Sequence, residues 1–145
     1  MGKITGIDDI IVTPLKIISV NGGDVLHGLK NGDTGFVGFG EVYFSKVGQN
    51  SIKAWKLHSK MTLNLIVPFG EVKFVFCDKS SNFREEVIGL NNYARITVPP
   101  LIWFGFLGLF HEDSIVMNLA DIIHDANEVE RKNLNEIEYK WETKP

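Results

Sequence analysis

The chain has 145 residues, 44% of them hydrophobic, a formal net charge of −3 and one cysteine, Cys77. That size suits a single domain spanning residues 1–145 with its own core, and the composition excludes a disordered or membrane-embedded chain. The charge leaves no basic footprint for nucleic acid, and a lone cysteine cannot staple a disulfide framework. The opening "MGKITGIDDI" carries acids where a signal peptide needs an apolar core, and Gly2 lacks the downstream Ser or Thr of a myristoylation site. The expected location is cytoplasmic, with no membrane partner.

In chain order, "DDIIVTPLKIISV" is β-branched and runs into the turn signal Asn21-Gly22-Gly23. "GFVGFGEVYFSKV" mixes aromatic and β-branched residues with glycines, as bent strands do. "SIKAWKLH" alternates, with Ile52, Ala54, Lys56 and His58 on one face and Lys53, Trp55 and Leu57 on the other. "MTLNLIVPFGEVKFVFCD" reads as two strands joined by a turn at Pro68 to Glu71. "SSNFREE" reads as a polar loop and "YARITVPP" as a strand stopped by its prolines. "LIWFGFLGLF" and "SIVMNLADI" are further strands, and only "DANEVERKNLNEIEYKW" has helix-like composition. Many short strands with Gly and Pro punctuation predict an all-β sandwich or barrel with a short C-terminal helical or irregular segment.

Two stretches stand out. Lys53, Lys56, His58 and Lys60 gather just ahead of an apolar run. If the Lys56/His58 face looks inward, with Thr62 and Asn64 joining it, unpaired polar groups are too costly for a packed core and must line a cavity for a polar, anionic ligand. If that face looks outward, the lysines are edge-strand protection. The second stretch, "VPPLIWFGFLGL", sets Trp103, Phe104 and Phe106 among glycines, which suits the wall of a sugar or base site as well as an ordinary core.

These segments, with "FGEVYFS", "IGLNNYARITVPPLIWFGFLGL" and "SIVMNLADIIHDANEVER", resemble the dTDP-4-dehydrorhamnose 3,5-epimerase family of the cupin superfamily, from about Asp24 to Trp141. The resemblance implies a cupin-type jelly-roll β-barrel, a homodimer exchanging N-terminal strands, and nucleotide-linked 4-keto-6-deoxy sugars as ligands. The family's Arg-Gly-Leu-His motif falls on Lys53-Ala54-Trp55-Lys56. On that match Lys53 holds substrate charge, Lys56 takes the place of the general-base histidine, the family's acid tyrosine falls at Met117, and the base-orienting Asp falls near Asn133. A lysine base needs a strongly lowered pKa, which neighbouring cations supply; His58, two residues on, is the other candidate.

Metal-binding cupins need three histidines and a glutamate, of which His58 alone survives here, so neither metal nor other cofactor is expected. His27, His111 and His124 carry no role in this reading. The leading expectation is a metal-free nucleotide-sugar epimerase or isomerase acting by proton abstraction beside a keto group. Lys56 or His58 is its base, and Lys53, Lys60, Asn64, Trp103 and Asn118 are its substrate contacts. The alternatives are a catalytically silent sugar-nucleotide-binding cupin and a barrel with no small-molecule site.

Overall fold

A computed structural model describes residues 4–143; Gly2 and the rest of the first three positions lie outside the described residues. Among the described residues there are twelve strands: β1 (Ile11–Pro14), β2 (Ile17–Ile18), β3 (Val25–Leu26), β4 (Glu41–Val47), β5 (Ile52–His58), β6 (Leu63–Phe69), β7 (Glu71–Cys77), β8 (Phe83–Gly89), β9 (Ala94–Val98), β10 (Trp103–Gly108), β11 (Ser114–Ala120) and β12 (Val129–Arg131). They form two five-stranded sheets in the orders β1-β9-β6-β11-β4 and β12-β5-β10-β7-β8, and β2 and β3 make a separate hairpin. Every named pairing is antiparallel. This is the all-β jelly-roll arrangement expected. Among the described residues no helix is long and apolar enough to cross a membrane.

Period-two alternation builds the core. Leu63, Leu65 and Val67 of β6 meet Phe74, Phe76, Phe104 and Phe106 of the facing sheet in one buried cluster. Phe74 and Phe76 are fully buried, each worth about 1.5–3 kcal/mol in apolar area removed from water. The β6–β7 turn pivots on Gly70 at φ 95°. A Cβ there would lie 2.2 Å from the Ser114 hydroxyl, so glycine is required twice over.

Two local expectations are corrected. "SSNFREE" is not a loop throughout, because Phe83–Gly89 forms β8 and pairs with β7 along its whole length. The C-terminal segment, helix-like in composition, makes two single-turn 3-10 helices, Ala126–Glu128 and Leu134–Glu136, around β12. Tertiary partners override its propensity. β12 pairs with β5, while Ile137, Tyr139 and Trp141 cover a second apolar cluster of Trp55, Leu57, Val75, Cys77 and Trp103 on the outer side of that sheet.

Candidate active site

β5 carries the cationic stretch, and its register explains where each side chain goes. Against β10, Phe104 pairs with Lys56 but Gly105 pairs with Ala54, so the ladder shifts by one residue and Trp55 is the extra one. The Ala54–Trp55 peptide within this bulge is cis. A bulge of this kind flips the parity of the strand beyond it. Lys56 therefore shares a face with Phe104, and Lys53 shares the same face with Phe106 across from it. Strict alternation would have sent Lys53 to the outside.

That inward face borders a cavity of about 710 Å³, lined among others by Lys53, Lys56, Phe104, Phe106, Asn118 and Arg131. A smaller lobe of about 320 Å³ adjoins it and shares Tyr43, Lys56 and Arg131 with it. His58, Glu41, Met61 and His124 belong to the smaller lobe. Both lobes lie between the edge strands β4 and β12, one from each sheet.

His58 is the best-organised titratable group in this cavity. It is 6% exposed and its ring stacks on Phe104. Its Nδ1 lies 2.5 Å from Oε1 of Glu128, a carboxylate that is itself buried. The other oxygen of Glu128 accepts the amides of Lys60 and Met61, each at 3.1 Å. Burial would raise the Glu128 carboxyl, but the His58 hydrogen bond and the two amides outweigh it and hold it below its ordinary value. Burial pushes the His58 imidazole down, the Glu128 bond and charge oppose this in part, and Lys56 and Arg131 push it further down. A lowered imidazole pKa favours the neutral ring at neutral pH, and the ionised Glu128, which can only accept, then takes the Nδ1–H. Its buried Nε2 has no protein partner, which leaves that nitrogen's lone pair unused by the protein in a ring that borders the lobe.

The surroundings are polar and mostly cationic. Burial lowers the Lys56 ammonium, Arg131 and Lys53 add to that, and Glu128 opposes it. Tyr43, across the lobe on β4, has its phenol raised by burial and by Glu41, so it stays protonated. Asn118 turns inward on β11 and donates to the Ser45 hydroxyl at 3.3 Å. Among the described residues no group of three or more His, Cys, Asp or Glu side chains could hold a metal ion.

No protein-family model matches the chain, and no curated protein does. Solved structures do. The dTDP sugar isomerase from Desulfovibrio desulfuricans G20 is 34% identical, with a TM-score of 0.88, over 92% of this chain and 91% of that one. The chain belongs to the dTDP-sugar isomerase family. Within the same cupin fold it superimposes on the dTDP-4-dehydrorhamnose 3,5-epimerase from Bacillus anthracis str. Ames at 19% identity and a TM-score of 0.78, covering 94% and 87% of the two chains. A sugar 3,4-ketoisomerase from Thermoanaerobacterium thermosaccharolyticum in complex with TDP matches at 17% identity and a TM-score of 0.75, covering 87% and 90%.

Against this family frame, the sequence-predicted residues divide. Lys53, Lys56 and Asn118 line the larger lobe, and Lys56 and His58 the smaller. Asn64 does not join them. The break between β5 and β6 at Ser59–Thr62 resets the parity, and Asn64 points to the far side of its sheet. There its oxygen accepts from Arg95 and Thr97, both at 2.6 Å, and its amide donates to the carbonyl of Gly35. Trp103 also faces the other way, packed in the outer apolar cluster with the Lys132 ammonium 4.7 Å from its ring centroid. Phe104 and Phe106 form the aromatic wall instead. Lys60 is exposed and contributes to the site through its backbone amide on Glu128 rather than its side chain.

Met117, where the family's tyrosine falls, is on the outward face opposite Phe44 and Ile66. Asn133 borders the larger lobe, but the carboxylate that orients an imidazole is Glu128. Glu128, Tyr43 and Arg131 were not legible as site residues. The one available signal was the carboxylate-rich "DANEVER", which its helix-like composition masks.

Proposed function

We propose that the protein is a nucleotide-sugar isomerase or epimerase that acts on a dTDP-4-keto-6-deoxyhexose-type substrate by enolisation beside the keto group, with no metal. The observation that carries this reading is the buried His58, a residue of the smaller lobe's lining, whose Nδ1 is held by Glu128 while its buried Nε2 has no protein partner. A neutral imidazole so oriented is a general base suited to working pH. His58 Nε2 takes the proton from the carbon next to the carbonyl, and its positive charge is balanced by Glu128. The Lys56 ammonium, in the same lobe, stabilises the negative charge that develops on the keto oxygen. Tyr43, whose raised pKa keeps it protonated, then returns a proton to the enolate. Lys53, Arg131 and Lys132 border the larger lobe and suit a nucleoside diphosphate.

The test is incubation with dTDP-4-keto-6-deoxyglucose in D₂O, with NMR detection of deuterium at the carbons flanking the carbonyl. His58→Asn is expected to abolish incorporation, and Lys56→Ala to slow it about 10²–10³-fold, the usual size of a lost oxyanion donor. Tight dTDP binding without exchange in the wild type would instead make the protein a silent binder. Wild-type rates in His58→Asn would remove His58 as the base.

A homodimer is part of the same proposal. The outward face of β4 and the segment before it expose Val42, Phe44, Val37 and Phe39, and the β2–β3 hairpin exposes Ile17, Ile18 and Val25. Phe44 is 64% exposed beside Met117, and an apolar patch of this kind marks a protein interface. Sedimentation should give a dimer that Phe44→Lys converts to monomer.

A further inference from the structure

The two lobes differ in charge, and the difference assigns a role to Glu41. Around the larger lobe stand Lys53, Lys56, Arg131 and Lys132 with one carboxylate, Glu136. A polyanion belongs there. The smaller lobe holds His58, and a carbon that yields its proton to Nε2 must come within hydrogen-bond reach of it. Resting on the functional reading above, the hexose then occupies the smaller lobe, with the diphosphate against Arg131, Lys53 and Lys132 of the larger one.

Glu41 opens β4 and pairs with Ala120, a residue of the inter-sheet core. Its side chain therefore points inward, and it lines the smaller lobe opposite His58 and next to Tyr43. A carboxylate can only accept hydrogen bonds. It welcomes sugar hydroxyls and repels a second carboxylate, and in a partly desolvated lobe that repulsion is weakly screened. Of the two cations nearby, Arg131 is engaged by the diphosphate and Lys56 by the keto oxygen, so neither is free to offset it.

We infer that Glu41 is a specificity-determining residue, which admits nucleotide sugars with an uncharged hexose and rejects those carrying a carboxylate on the sugar. Discrimination here comes from a repulsive group, not from an extra contact to the favoured ligand.

The experiment is calorimetric titration of wild type, Glu41→Gln and Glu41→Ala with dTDP, dTDP-glucose and dTDP-glucuronate, which differ only in the sugar or its absence. The readout is the ratio of the two nucleotide-sugar affinities within each variant, so any general loss of affinity cancels. Wild type should bind dTDP-glucose about tenfold or more tightly than dTDP-glucuronate, and both variants should bring the ratio within about threefold. Equal wild-type affinities, or a ratio that survives both substitutions, overturns the role of Glu41 while dTDP binding keeps the nucleotide-sugar reading intact. If none of the three ligands binds, the functional reading fails and takes this inference with it.

Discussion

Replacing Glu128 by glutamine tests the His58 arrangement at the level of a single proton. Oε2 of Glu128 accepts two backbone amides, from Lys60 and Met61, and Oε1 accepts His58 Nδ1. The amide group of a glutamine has one acceptor and one donor end. With its NH₂ turned to the backbone, two buried N–H groups lose their acceptor, at about 1–3 kcal/mol each. With its oxygen kept on the backbone, the NH₂ faces His58, and the ring answers by moving its proton from Nδ1 to Nε2. The second arrangement is cheaper by about 2–6 kcal/mol and should win. It fills the Nε2 lone pair with hydrogen and removes the base without moving the ring. In catalytic triads the corresponding carboxylate-to-amide change costs about 10⁴ in kcat for this reason. Deuterium incorporation should fall about 10³–10⁴-fold, equivalent to about 4–5.5 kcal/mol of barrier. Nitrogen-15 NMR of the imidazole should show the proton on Nδ1 in the wild type and on Nε2 in Glu128→Gln. An unchanged tautomer, or activity within tenfold of wild type, would refute the reasoning.

Three further outcomes follow from the same geometry. Asn64→Ala should lower stability by about 2–4 kcal/mol in urea unfolding, because it strips acceptors from the buried Arg95 and Thr97, yet leave dTDP affinity within about threefold. Gly105→Ala should weaken dTDP binding and destabilise by about 1–3 kcal/mol, since its Cβ would lie 2.4 Å from that of Ala54 at the bulge that turns Lys53 inward. Stability should rise with pH across the acid range, because the unfolded chain binds more protons than the native one at both His58 and Glu128. The His58 part is lost as pH falls below 6.5 towards its lowered folded value. The Glu128 part is lost below 4.5, and thermal melts of His58→Asn against pH should lack the upper step.

The strands were readable because a two-residue period survives wherever one face is buried. The limits came from features that break or invert that period. The Trp55 bulge moves Lys53 to the face of Lys56, and no local pattern announces a bulge. The break after β5 resets parity, so Asn64 inherits nothing from His58. In β4 the pattern is inverted: Glu41, Tyr43 and Ser45 point into the cavity while Val42 and Phe44 point outward. A reader who assigns apolar residues to the interior places Tyr43 outside. Glu128 lies 70 residues from His58, and only tertiary pairing of β12 with β5 brings the two together.

The place of the cavity, between β4 of one sheet and β12 of the other, has a mechanical consequence. An occupant would touch Tyr43 and Asn118 on one side and Lys53, Lys56 and Arg131 on the other, and so act as a rivet across a border where the two layers share no backbone ladder. Ligand binding then adds RT ln(1 + [L]/Kd) to the free energy of opening, and that gain should appear as slower amide exchange along both bordering strands together.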